Sequence, residues 1–263
     1  MSRVDTYSEG TFCWVDLSTP DYDGAVEFYQ KLFGWSHQEG PSADGHAGRY
    51  GFFQIDGVEV AGIGEIPPSM RGQMPPVWNN YVAVGDTDSV VDKAKTLGAK
   101  VMFDPMDTPG GNGRLAYLTD PTGATVALWQ GKAHRGAGIV NEPVALCWNE
   151  LQTRDLEAAK SFYGELFGWT FSPMPGPSSA VGIKNRGRDN GHILTMTEAF
   201  EGIPPAWTPY FAVADADQIV TEVETLGGTV PVPPQDIPPG RFAVVSDPQG
   251  GHFYVIALAR ASE

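Results

Sequence analysis

The chain has 263 residues, 41% of them apolar, enough for a sizeable core and, at about 100 to 200 residues per domain, for two domains. Lys and Arg number 17 against 32 Asp and Glu; the net charge of −15 repels phosphate backbones and anionic bilayers, so nucleic acid and membrane are discounted as partners. No segment approaches the roughly 20 apolar residues of a membrane helix, and the polar, acidic Met1 to Gly10 is unlike a signal peptide, so a cytoplasmic location is expected.

A short strand is predicted from Phe12 to Leu17, followed by an acidic turn and an amphipathic helix from about Tyr22 to Leu32 that stops at Gly34. The stop is a glycine because the residue past a helix end commonly needs left-handed dihedrals, which cost glycine nothing. Two or three strands follow, then a Pro-rich connector from Ile66 to Pro76. The strand, helix, strands order restarts at Tyr81, with a second helix near Thr87 to Leu97 ending at Gly98. The run Pro109 to Gly113 is glycine-rich but lacks the Lys-Ser/Thr of a phosphate loop, and reads as a strand connection. A Gly-rich stretch, Gly131 to Glu142, reads as a linker. The pattern then repeats: strand Ala145 to Leu151, helix Leu156 to Leu166 stopping at Gly168, connector Ile203 to Pro205, a restart at Tyr210, and a helix from Ala216 to Leu226 ending at Gly227.

The repetition is also literal. Cys13-Trp14-Val15-Asp16-Leu17-Ser18-Thr19 recurs 134 positions later as Cys147-Trp148-Asn149-Glu150-Leu151-Gln152-Thr153. At the same offset, Phe28 to Trp35 recurs as Phe162 to Trp169, both reading FYxxLFGW. Asp120-Pro121-Thr122-Gly123 is matched by Asp247-Pro248-Gln249-Gly250. The expected organisation is a domain over residues 1–130, a linker over 131–143 and a homologous domain over 144–263. Each domain holds two βαβββ units, an α+β fold.

The combination of FYxxLFGW, the restarting strand, a helix ending in TLG and a closing DPxG strand resembles the vicinal-oxygen-chelate superfamily, which includes glyoxalases, bleomycin-resistance proteins and extradiol dioxygenases. More narrowly it resembles the tandem-domain Cfp30B-like group. The resemblance covers nearly the whole chain. It implies that the βαβββ units curl into two glyoxalase-type incomplete barrels, each with a cup for a small molecule, usually held on a divalent metal. Carried over residue by residue, the family's metal positions become Trp14, Asn79, Trp148 and Thr208 on the first strands of the units, and Ala127 and Tyr254 on the strands after DPxG. Indole nitrogen has no lone pair, Ala offers nothing, and neutral Asn or Thr oxygen is a weak ligand, so no metal and no other cofactor is expected.

Strand alternation extends this lining. Asp16 and Ser18 accompany Trp14, Glu150 and Gln152 accompany Trp148, Tyr81 accompanies Asn79, Tyr210 accompanies Thr208, Trp129 accompanies Ala127, and His252 accompanies Tyr254. An aromatic cup with one carboxylate suits a flat, apolar or aromatic small molecule. Asp16 and Glu150 are candidates for proton transfer, with His192, which stands where the first half has Gly62, as a third catalytic candidate. Arg241 and Arg114 are expected near the carboxylates, either as neighbours in the cup or as their ion-pair partners. His37, His46 and His134 fall in polar loops and receive no role. Cys13 and Cys147 precede Trp on the outward parity and read as buried thiols. The second half, richer in proton-transferring groups, is expected to house the principal site. Three functional readings stay open: an accessory enzyme or binder of small-molecule or antibiotic metabolism, a drug-sequestering resistance protein, and a metal-dependent lyase or dioxygenase using other ligands. The reading also admits a homodimer.

Overall fold

A computed structural model describes residues 3–41, 48–174 and 180–259. The first half supplies β1 (Phe12–Thr19), β2 (Ser36–Glu39), β3 (Tyr50–Ile55), β4 (Val58–Glu65), β5 (Val77–Ala83), β6 (Lys100–Asp107), β7 (Gly113–Thr119) and β8 (Thr125–Gly131). Helix α1 (Tyr22–Phe33) follows β1, and α2 (Thr87–Thr96) follows β5. The second half repeats this with β9 (Leu146–Thr153), β10 (Thr170–Pro173), β11 (Ala180–Asn185), β12 (Arg188–Thr195), β13 (Ala206–Ala212), β14 (Thr229–Ile237), β15 (Gly240–Ser246) and β16 (His252–Leu258), with α3 (Leu156–Phe167) and α4 (Ala216–Thr225). Each half forms one open eight-stranded mixed sheet, in the orders β2-β3-β4-β1-β5-β8-β7-β6 and β10-β11-β12-β9-β13-β16-β15-β14. The two units of a sheet join where their first strands meet antiparallel, β1 with β5 and β9 with β13.

The acidic turns of the sequence are helix N-caps. Asp21, Asp155, Asp86 and Asp215 each accept a backbone N–H of the following first turn. Gly34 and Gly168 end α1 and α3 in the left-handed conformation, at φ 69° and 73°.

The helix-bearing faces of the two sheets pack against each other, and each unit finds its core partner in the opposite half. One cluster joins α1, Trp35, Phe53 and Trp78 to Phe211, α4, Val245 and Phe253; the other joins Phe12, Val82, α2 and Leu128 to α3, Trp169, Ile193 and Trp207. Two buried relays cross this interface. Trp78 Nε1 donates to Tyr29 Oη (3.0 Å), which donates to Asp247 Oδ2 (2.9 Å). Their counterparts are Trp207, Tyr163 and Asp120, at 2.7 and 2.8 Å. The FYxxLFGW tyrosine of one half therefore binds the DPxG aspartate of the other, which uses its second oxygen to hold its own turn.

On the first strand of each half, strand parity breaks at the cysteine. The pairings Phe12 with Val82 and Trp14 with Tyr81 leave Cys13 as an extra residue, and Leu146 with Phe211 and Trp148 with Tyr210 do the same for Cys147. The bulge turns both thiols toward the aromatic clusters of the open faces, correcting the outward placement expected from alternation. Cys13 is fully buried, whereas Cys147 is half-buried.

Candidate functional site

Asp16 lies at the centre of the open face of the first sheet, 5% exposed, between the two central strands. Asn79 Nδ2 donates to its Oδ1 (2.8 Å), while the hydroxyls of Tyr81 (2.6 Å) and Tyr50 (3.1 Å) donate to Oδ2. Asn79 also reaches Ser18 Oγ (3.0 Å), and Tyr117 meets the Tyr81 hydroxyl. Burial drives the Asp16 carboxyl above its ordinary range, against the pull of these donors. Trp14 covers the group, its Nε1 donating to Tyr50 Oη (3.2 Å). Above Trp14 sits His134, edge-on at 4.4 Å, its Nδ1 2.7 Å from Glu59 Oε2. His134 also packs on Phe52 and Trp129, and its carbonyl accepts Trp129 Nε1 (3.1 Å). The segment after β8 thus lies over the first cup, pinned by Ala137 N to Cys13 O (2.8 Å). His134 is a buried lid residue rather than part of a polar loop. His37 likewise stands on β2, bonded to the Tyr22 hydroxyl at 2.9 Å; His46 lies outside the described residues.

Glu150 occupies the matching place in the second sheet, 3% exposed. His192 Nε2 is 2.8 Å from its Oε2, to which Tyr210 also donates (2.7 Å); Gln152 (2.9 Å) and Tyr254 (3.1 Å) donate to Oε1. Burial raises the Glu150 pKa, but the bond from His192, the charge that imidazole carries once protonated in acid, and the bonds from Tyr210 and Gln152 outweigh it and hold the carboxyl below its ordinary range. Trp148 Nε1 donates to His192 Nδ1 (2.7 Å). Indole N–H only donates, so Nδ1 carries the lone pair and the proton sits on Nε2, facing the carboxylate. Trp148 is half-buried, and the apolar side chains beside it, Cys147, Ile237, Phe242 and Val244, are partly exposed.

The two cups differ by compensating exchanges. Gly62 faces Asp16 across β4 and β1, and His192 faces Glu150 across β12 and β9. A Cβ on Gly62 would stand 2.2 Å from Tyr50 Oη, because that phenol fills the space the imidazole takes in the second half. Tyr50 and His192 do the same work, accepting from the indole and donating to the carboxylate. Tyr117 and Tyr254 are a second exchange: Tyr117 faces Ala127, and Tyr254 faces Val244. Tyr50, Tyr117 and His134 went unselected in the sequence; the Gly62-for-His192 difference was the one signal that a neighbour had to fill the gap.

Trp14, Asp16, Asn79, Tyr81 and Trp129 come together in the first cup, and Trp148, Glu150, His192, Tyr210 and Tyr254 in the second. Thr208 faces Glu150 across the strands. Arg241 does not join them: it pairs with Asp217 on α4 (2.6 Å) and with Asp236 (3.2 Å), as Arg114 pairs with Asp88 on α2 (2.7 Å). Neither arginine reaches a cup carboxylate, because both anchor helices at the strand ends. His252 shares the face of Tyr254 but sits at the exposed start of β16, bonded to Ser246 (2.6 Å). An open cleft of about 870 Å³ lined by Arg154, Met196, Thr197, Glu198 and Glu201 shares no lining residue with either cup, and no titratable group lining it is buried.

The family's metal positions hold Trp14, Asn79 and Ala127 in one sheet and Trp148, Thr208 and Tyr254 in the other. Both Glu150 oxygens and both His192 nitrogens are engaged with each other and with neighbours. Among the described residues no group of three or more His, Cys, Asp or Glu side chains is disposed to hold a metal ion. This donor set does not fit a divalent cation.

Residues 11–128 match the family Glyoxalase/Bleomycin resistance protein/Dioxygenase superfamily, and residues 146–184 match Bleomycin resistance protein-like N-terminal. The chain is 43% identical to CFP32 of Mycobacterium tuberculosis, which carries a provisional glyoxylase name, over 98% of this chain and 99% of that one. It is 32% identical to the anthracycline biosynthesis protein DnrV of Streptomyces peucetius, over 96% and 94%. In fold it resembles the Mn(II)-bound glyoxalase of Novosphingobium aromaticivorans (TM-score 0.64, 17% identity, 98% of this chain and 83% of that one). It is equally close to the 2,3-dioxygenase LapB of Pseudomonas sp. KL28 (TM-score 0.64, 13% identity, 97% and 95%). The sequence relatedness over the full length and the tandem βαβββ units lead to one conclusion: the chain belongs to the glyoxalase, bleomycin-resistance and dioxygenase superfamily.

Proposed function

We propose that this chain binds a small organic molecule with a flat aromatic framework on the open face of its second sheet, without a metal, and that Glu150 and His192 exchange a proton with it. The observation that carries the reading is the pair of buried Glu150 and partly buried His192, 2.8 Å apart, beneath the half-buried Trp148. An indole flanked by partly exposed apolar side chains offers a stacking surface, and the pair below supplies an acceptor and a transferable proton. Relatedness to a protein named for anthracycline biosynthesis supports a place in the making or handling of an aromatic natural product. A second reading, sequestration without turnover, is favoured by one feature: every polar atom of the pair is already engaged.

Planar aromatic ligands are expected to quench tryptophan fluorescence, and Trp148→Ala to weaken binding by about 1 to 3 kcal/mol, the order of a lost aromatic anchor. Glu150→Gln is expected to lower affinity or turnover more than Asp16→Asn, because Asp16 lies under the His134 lid. Equal losses would overturn the assignment to the second cup. Recovery of the ligand unchanged after long incubation selects sequestration.

Metal content is a separate check. A chelator is expected to leave the melting temperature unchanged, since a tightly held ion would stabilise the fold by mass action. Stoichiometric zinc, nickel, iron or manganese whose removal lowers the melting temperature would restore the metal-dependent lyase or dioxygenase.

A further inference from the structure

The charge of the second cup follows from one hydrogen bond. Trp148 Nε1 lies 2.7 Å from His192 Nδ1, and a donor that has nothing but a proton to offer holds that nitrogen in its lone-pair form. In this arrangement the imidazole offers Glu150 a neutral N–H. The Glu150 carboxylate, 3% exposed and accepting from His192, Tyr210, Gln152 and Tyr254, is solvated entirely by neutral donors. No lysine or arginine among the described residues lies within ion-pair distance of it: Arg241 is spent on Asp217 and Asp236, and Lys184 on Asp189. Low-dielectric surroundings let an uncompensated charge act over several ångströms.

We infer that the second cup selects its aromatic ligand by charge, taking one that carries a cationic amine and rejecting carboxylates and phosphates. This rests on the proposed ligand site and adds the class of ligand. An amine attached to the ring system gains from the carboxylate field and from the face of Trp148. An anion meets the same field with no basic side chain to offset it. The first cup carries no such selectivity: Tyr50 replaces the imidazole, and His134 covers the face a ligand would use.

Three isosteres test this: 9-anthracenemethylamine, 9-anthracenemethanol and 9-anthracenecarboxylate, titrated into the intact chain by calorimetry at pH 7. The ammonium is expected to bind about tenfold more tightly than the alcohol, the order expected of one charge felt across a few ångströms of protein, and the carboxylate most weakly. Glu150→Gln is expected to abolish the ranking, the three probes then binding about equally, whatever their common affinity. Trp148→Phe retains a ring face but removes the indole donor that fixes His192 Nδ1 as the lone-pair nitrogen, so it is expected to shrink the ranking even where Glu150→Gln does not fold. Glu224→Gln on the exposed face of α4 removes the same formal charge and is expected to keep the ranking, separating the cup from the net charge of −15. Equal binding of all three probes, or a ranking that survives in both cup variants, would overturn the inference and leave the ligand site standing. Binding of none of the three would overturn the ligand site itself.

Discussion

Gly62 and His192 face Asp16 and Glu150 from the neighbouring strands, and this one difference gives the two carboxyls opposite titration behaviour. Asp16, with no imidazole beside it, is raised above 3.8 by burial; Glu150, with His192 and Tyr210 donating, is held below 4.5. A raised acid binds protons more tightly in the folded chain, so the stability it confers is full below 3.8 and declines as pH rises toward its folded value. A depressed acid behaves in reverse: its contribution is full above 4.5 and disappears as pH falls through its folded value. Glu150→Gln is therefore expected to cost most near neutrality and progressively less in acid, whereas Asp16→Asn costs most in acid and less as pH rises. Urea unfolding from pH 3.5 to 7.5 reads both slopes. Parallel curves for the two variants would show that the neighbours do not set these charges.

The interlocking of α1 and α3 with the opposite DPxG turns makes the element scale the place to test cohesion between the halves. Tyr29→Phe leaves Asp247 Oδ2 without its tyrosine donor and Trp78 Nε1 without an acceptor, and Tyr163→Phe does the same to Asp120 and Trp207. Each is expected to cost about 1 to 3 kcal/mol, the order of a buried polar group left unpaired. Combining Tyr29→Phe with Asp247→Asn is expected to cost less than the sum, since the two share one bond. A loss below about 0.5 kcal/mol, the scale of ordinary surface changes, would show that the relays are ornamental. At this scale the sequence was largely readable. The helices end within a residue or so of expectation, because their signals, an aspartate cap and a closing glycine, are local. The cysteine bulges were not readable, since an extra residue changes which face a side chain takes without changing the pattern of residue types.

Across the whole molecule, legibility falls with sequence distance. The 134-residue repeat and the strand-helix order are written along the chain, and half of each cup follows from alternation on β1, β5, β9 and β13. Tyr50, Tyr117 and His134 reach the first cup from strands and a segment paired far away, which no periodicity registers. Arg241 was misplaced because an arginine at a strand end is drawn to the nearest helix aspartate, not to the carboxylate with which it shares a sheet. The division at residues 131–143 remains our proposal for the repeat boundary, and it separates the sheets but not the cores: Phe211 and Phe253 complete the packing of α1, and Phe12 completes that of α3. During synthesis, then, the first sheet leaves the ribosome before the second-half residues that complete its two cores are made. At about 5 to 20 residues per second, the second half follows only after roughly 6 to 25 seconds. For that interval the two cores lack their second-half members, and a message cut after the first repeat would deliver only half of each.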